Sequence, residues 1–270
     1  MKKIVLSILF LILLSTNSFA QISVLGELTR KYVVKPGGVY EGTVVLRNKG
    51  DKPHDVKIEK KDYLFDREGK NRFEDPPIHP RSNSEWISVS PSKATIPPGE
   101  SLNVSFKIHV PQKENLIGTY WSVLMIEPQE PIVPETLLRS ENKKLTMSLR
   151  VVIQHAIQII TDVGESGTTK IKFLEKKVIQ KEGKRMLQID IENVGERWVT
   201  FKPIIELFDQ DGKSVGKFEA NRARIFPTCS ARFLADISEV PKGKYKALIV
   251  TDGSGEKVFG TRMNLSIEDK

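Results

Sequence analysis

The residues of this chain with the chemistry for catalysis or metal binding are few, and their spacing supports neither. The four histidines, His54, His79, His109 and His155, are scattered; none forms a His-Glu-x-x-His motif or a pair at metal-ligand spacing. Gly164-Glu165-Ser166-Gly167 and Gly253-Ser254-Gly255 lack the strand-to-helix context and closing glycine of a nucleophile elbow. Asp209-Gln210-Asp211-Gly212 opens like a calcium loop but lacks the later oxygen ligands and the closing Glu. Asp-Gly between two β runs is instead the mark of a hairpin. Cys229, the single cysteine, has no basic neighbour in sequence to activate it and reads as a small buried hydrophobe. No catalytic residue, metal ligand or cofactor is expected. What remains is binding chemistry: Leu145, Met147 and Leu149 alternate in a β run beside Arg150, either as the core face of a strand or as side chains offered to a partner.

The elements that position these residues are strands. Few stretches carry helical periodicity, whereas alternation recurs throughout. In the first half strands are expected near Ser23 to Val34, Val39 to Asn48, Val56 to Phe65, Glu85 to Ser90, Ser101 to Val110, Thr119 to Glu127 and Leu145 to Thr161. The second half is expected to place them near Ile171 to Gln180, Lys184 to Asn193, Trp198 to Phe208, Ser214 to Glu219, Ala231 to Ile237, Gly243 to Thr251 and Val258 to Ile267. Proline-bearing stretches at 66–83 and 128–144 read as loops, and the Gly-containing 161–169 as an interdomain linker.

Three landmarks occur twice in the same order. Val44 to Gly50, ending in Asn-x-Gly, is answered by Ile189 to Gly195, and tight turns with positive φ are expected there. Ile96-Pro97-Pro98-Gly99-Glu100-Ser101 is answered by Ile225-Phe226-Pro227-Thr228-Cys229-Ser230, and Gly118-Thr119-Tyr120 by Gly243-Lys244-Tyr245. Two copies of one topology imply an all-β chain of two tandem immunoglobulin-like β-sandwiches, at 21–162 and 163–270. Trp86, Trp121 and Trp198 are too dispersed for a carbohydrate platform and are expected in the cores.

Residues 1–20 read as a secretory signal peptide: Lys2 and Lys3 precede the apolar run Ile4 to Leu14, and Ser18 and Ala20 supply small residues for cleavage after Ala20. The run is too short to span a bilayer comfortably, so stable membrane insertion is not expected. Removing those 20 residues leaves 250 and lowers the formal charge from +8 to +6. That charge is spread over both halves without a dense basic block, which argues against a nucleic-acid partner.

A first domain with an Asn-x-Gly turn after its second strand, Pro-Gly before its fifth, and a long β run through Arg150-Val151-Val152-Ile153-Gln154 resembles the periplasmic pilus-chaperone family typified by PapD. The second half, with Ile189 to Gly195, the Asp-Gly hairpin and Pro227, is similar to the second domain of those chaperones. The resemblance implies a periplasmic protein whose first domain donates a strand edge to a secreted or surface subunit. Two cleft cations then hold the partner's C-terminal carboxylate. Carried over residue by residue, Arg150 takes the place of the last-strand lysine, and Arg30, or else Lys31, that of the first-strand arginine. The family's donated apolar residues lie further upstream, where this chain has the polar Arg139 to Lys144. A second resemblance, to the Ig-like domains that accompany WxL surface proteins, implies a structural cell-envelope or wall-associated module, secreted or on the cell surface. The chain's end in Ile267-Glu268-Asp269-Lys270 does not match the anchor and basic tail of those proteins.

Overall fold

A computed structural model describes residues 22–129, 152–253 and 257–268. The expected signal peptide and the segment holding Leu145, Met147, Leu149 and Arg150 lie outside the described residues. Among the described residues there is no α-helix, only strands and one 3-10 turn at Ser84–Trp86. No helix there is long and apolar enough to cross a membrane.

The first half contains Ile22–Leu25 (β1), Thr29–Val34 (β2), Val39–Asn48 (β3), His54–Phe65 (β4), Asn71–Glu74 (β5), Ile87–Ser90 (β6), Lys93–Ile96 (β7), Ser101–His109 (β8), Gly118–Gln129 (β9) and His155–Val163 (β10). One sheet runs β1-β3-β8-β6; the other runs β2-β10-β9-β4-β5, with β7 also on β4. Alternation turns Val44 and Leu46 of β3, and Val104, Phe106 and Ile108 of β8, into the space between the sheets, where all are buried. Each such side chain contributes about 2 kcal/mol by leaving water.

The second half contains Ile171–Lys181 (β11), Lys184–Asn193 (β12), Val199–Phe201 (β13), Ile204–Phe208 (β14), Ser214–Glu219 (β15), Ala223–Ile225 (β16), Ser230–Asp236 (β17), Gly243–Asp252 (β18) and Val258–Ile267 (β19). A β11-β12-β17 sheet faces a β15-β14-β18-β19 sheet, and β13 and β16 form a separate two-stranded ribbon. The chain is therefore all-β, two immunoglobulin-like sandwiches in tandem. The Asp209 to Gly212 stretch is the expected hairpin, joining β14 to β15.

Several details differ from expectation. The loop read at 66–83 contains β5, an edge strand whose four residues are all exposed, so it carries no buried alternation to betray it. The first expected strand breaks at Gly26 (φ 89°) and the chain changes sheets there. The linker read at 161–169 begins inside β10, where Thr161, Asp162 and Val163 are buried. Trp121 is a core residue, whereas Trp86 and Trp198 are only partly buried.

The twofold pattern holds atom by atom, though not for the expected reason. None of Asn48, Gly50, Asn193 and Gly195 has positive φ. Instead each asparagine is a buried staple: Asn48 Nδ2 donates to Lys52 O (2.7 Å) and Ile96 O (2.8 Å), and its Oδ1 accepts from Gly50 N (2.8 Å). Asn193 repeats this with Arg197 O (2.7 Å), Ile225 O (3.0 Å) and Gly195 N (2.9 Å).

Candidate partner-binding cleft

Strand parity sorts the two candidate cations of β2. Tyr32 and Val34 turn into the first core, and Arg30 shares their face, opposite the buried Ile159 in the parallel β2–β10 register. Its Nε is buried without a hydrogen-bond partner. Lys31 points the other way, opposite Ile160, whose side chain belongs to the core of the second sandwich. Lys31 Nζ sits 4.4 Å from the ring centroid of Trp198, a second-sandwich residue. Of the adjacent pair, Lys31 is the one that faces the cleft.

Trp198 precedes β13, and two-residue periodicity puts Trp198, Thr200 and Lys202 on one face of the ribbon, the opposite face holding the buried Val199 and Phe201. Arg224, opposite Thr200 on β16, shares that outward face, with its guanidinium 5.0 Å from the Trp198 centroid. Trp198 is held by the first sandwich: its Nε1 donates to Asp162 Oδ2 (2.9 Å) and its backbone N to Thr119 Oγ1 (3.1 Å). Thr119 Oγ1 in turn donates to Asp162 Oδ1 at 2.5 Å. Arg224 donates to Gln158 Oε1 (3.3 Å) on β10, while its Nε is buried without a partner. Burial lowers the pKa of Arg224, which stays a cation at any physiological pH because it starts from so high a value. Beside this cluster a cavity of about 430 Å³ is lined by Trp198, Thr200, Lys202, Arg222 and Asp252. Lys202 is paired with Glu219 across the β14–β15 margin.

The sandwiches meet through a continuous apolar joint. Trp121 stacks between His79 (4.2 Å) of its own domain and Phe226 (4.8 Å) of the other, and its Nε1 donates to Tyr63 O at 2.7 Å. Thr119 N donates to Glu196 O (2.8 Å), an approach that requires glycine at the preceding position: a Cβ on Gly118 would lie 2.3 Å from Glu196 O. This packing fixes where Lys31 and Trp198 meet.

One edge of β10 is covered over part of its length. β2 covers β10 from Gln158 onward, whereas upstream no strand covers that side of β10 among the described residues. Val152 and Ile153, just before β10, are 47% and 44% exposed. His155 Nε2 lies 2.9 Å from Ile22 O, and Cys229 is buried, its thiol pushed up to about 11 by desolvation. No group of three His, Cys, Asp or Glu that could hold a metal occurs among the described residues. Trp198, Arg224, Gln158 and Asp162 were not singled out as site residues from sequence, because they meet only when the domains dock.

No family model matches the chain, and no curated protein matches it. Solved structures do. A chain of the chaperone-tip adhesin complex of CFA/I fimbriae biogenesis aligns at TM-score 0.51 and 17% identity over 91% of this chain and 98% of that one. The class 5 fimbriae chaperone CfaA aligns at TM-score 0.48 and 17% identity, covering 90% and 98%. A chain of the Salmonella enterica SafA pilin in complex with the SafB chaperone aligns at TM-score 0.43 and 12% identity, covering 93% and 99%. The fold is that of the PapD-like fimbrial chaperones.

Proposed function

We propose that this chain is a non-enzymatic exported chaperone, acting in the periplasm after cleavage behind Ala20, that binds an extended segment of a secreted or surface subunit, of pilus type, by β-strand pairing. The observation that carries this reading is the partly covered edge of β10: β2 occupies it from Gln158 onward, no strand among the described residues covers it upstream of that, and the aliphatic Val152 and Ile153 stand exposed just before it. An open edge supplies unpaired main-chain groups, and alternate side chains supply specificity. Leu145, Met147 and Leu149 continue this run upstream and are the proposed pairing residues, with Arg150 beside them. Lys31, rather than its neighbour Arg30, is the proposed first-strand anchor for the partner's carboxylate, because it is the one facing Trp198. The test is Met147→Asp in the full chain. Co-purification of the periplasmic partner should be lost with the melting temperature unchanged; unfolding by the same change would assign Met147 to the core and end the pairing reading.

A further inference from the structure

The first sandwich holds a cavity of about 370 Å³ that neither the edge of β10 nor the cleft uses. Trp86 of the 3-10 turn and Tyr120 of β9 line it with their rings 4.7 Å apart, beside the buried Leu116 and His79. Two exposed opposite charges, Glu85 of the 3-10 turn and Lys113 of the β8–β9 connection, line it as well. Neither has an ion-pair partner among the described residues, and they do not pair with each other. The backbone of both walls is fixed without a ligand. Asp62 accepts from Ile78 N (2.8 Å) and from Ser82 Oγ, and Asn83 Nδ2 donates to Tyr120 O (3.3 Å) and Ile159 O (3.2 Å), which seats the chain entering the 3-10 turn. Arg81 Nη1 donates to Ile117 O (2.9 Å) and its guanidinium lies 5.4 Å from the Tyr120 centroid, so one side chain ties the two walls together. Little backbone ordering is therefore left for binding to cost.

We infer that this cavity binds a small zwitterion with an apolar body, of the size of a single amino acid, its cationic end toward Glu85, its carboxylate toward Lys113 and its body against Trp86, Tyr120 and Leu116. The volume lies at the small end of the roughly 300–1,000 Å³ range of small-molecule sites. A ligand of one sign would meet a like charge on one side of the cavity, whereas a zwitterion meets an opposite charge at both ends. The two rings then favour an apolar body over a wholly polar one. The inference goes beyond strand pairing and does not depend on it, since every lining residue lies within 77–120 of the first sandwich.

The experiment uses the mature full chain with isotopically labelled histidines, titrated with L-phenylalanine and followed by the ring resonances of His79. His54 and His155, beside the far end of β9 from Tyr120, serve as remote controls. L-Phenylalanine should shift the His79 signal saturably and leave the other two in place. N-acetyl-L-phenylalanine, which lacks the cation, and L-phenylalaninamide, which lacks the carboxylate, should each bind about fivefold more weakly, the scale of a solvent-exposed ion pair. Glu85→Gln should erase only the penalty of the acetyl compound, and Lys113→Gln only that of the amide. Both side chains are exposed, and melting curves check that the variants fold as the wild type does. A saturable shift that is absent, or that appears equally at His54 and His155, overturns the site. Equal affinity for the three compounds, or a folded variant in which both penalties survive, overturns the zwitterion. Each result is read without a partner protein, so strand pairing stands or falls separately.

Discussion

Arg67, at the tip of the β4–β5 hairpin of the first sandwich, places its Nε 3.3 Å from Oδ2 of Asp190, a fully buried carboxylate of the second. The same hairpin donates Arg67 N to Ser230 Oγ at 3.0 Å and lays Phe65 against Phe226. Asp190 is also gripped by Arg232 of its own domain, Nε and Nη2 both at 2.8 Å. The two arginines are therefore not equivalent. Arg67→Ala removes the cross-domain leg but leaves Asp190 paired, and should cost about 1 kcal/mol, with a weaker contact between sandwiches. Arg232→Ala removes the bidentate partner and leaves the buried Asp190 only the longer contacts to Arg67 (3.3 Å) and Gln188 (3.2 Å), and should cost about 3 kcal/mol, unfolding the second sandwich first. Urea titrations of both variants test this; equal losses would mean that Asp190 depends on both arginines alike.

His79 sets an acid limit on the joint. Its ring is stacked on Trp121 with neither nitrogen hydrogen-bonded, and burial lowers its pKa below 6.5, opposed in part by Asp62, whose Oδ2 is 4.0 Å from Nε2. A depressed folded-state pKa means the neutral ring contributes stability that is complete above pH 6.5 and is lost as pH falls through the lower folded value. His79→Phe keeps an aromatic stack and removes the proton site. Its melting temperature should fall less steeply than wild type on going below pH 6.5. Parallel curves for the two proteins would exclude His79 as the titrating group.

The sequence carried the fold because its signals were local. The alternation over Val39 to Asn48 and Lys184 to Asn193 appears as β3 and β12 with those bounds, since each run turns one apolar face into a core, although in β12 the polar Gln188 and Asp190 of the other face are buried as well. The Asn-x-Gly landmarks marked equivalent places, yet their cause was legible only in three dimensions: the acceptors Ile96 O and Ile225 O lie far along the chain from Asn48 and Asn193. The cleft was harder still. Whether Arg30 or Lys31 faces it depends on strand parity after the break at Gly26, and Arg224 reaches it only because a β13–β16 ribbon turns its polar face to the first sandwich.

The asparagine staples should be among the costliest polar residues in the chain. Asn48→Ala and Asn193→Ala each abandon one buried carbonyl, one part-buried carbonyl and a part-buried N–H, and should each destabilise by about 3 kcal/mol. The near-identical geometry further requires the two losses to match. Denaturant unfolding of the two variants measures both, and a loss below about 1 kcal/mol at either site would show that water replaces the side chain there.

One position in the second copy holds the wrong residue for its backbone. Gly99 has φ 72° and donates its N–H to Asn48 O at 3.0 Å; Thr228, its counterpart, has φ 65° and donates to Asn193 O at 2.8 Å. A β-branched residue in the left-handed region costs about 1–2 kcal/mol, whereas glycine adopts it freely but adds about 0.5–1 kcal/mol of unfolded-state entropy. Thr228 is exposed, so no burial is lost on removing its side chain. Thr228→Gly should therefore stabilise the second sandwich by about 0.5–1 kcal/mol. The reverse change provides the control. A Cβ added at Gly99 meets nothing within 4 Å, so Gly99→Thr isolates the conformational cost and should destabilise the first sandwich by a similar amount. Thermal melts of the two variants should move in opposite directions, and a shift of the same sign in both would refute the strain assigned to Thr228.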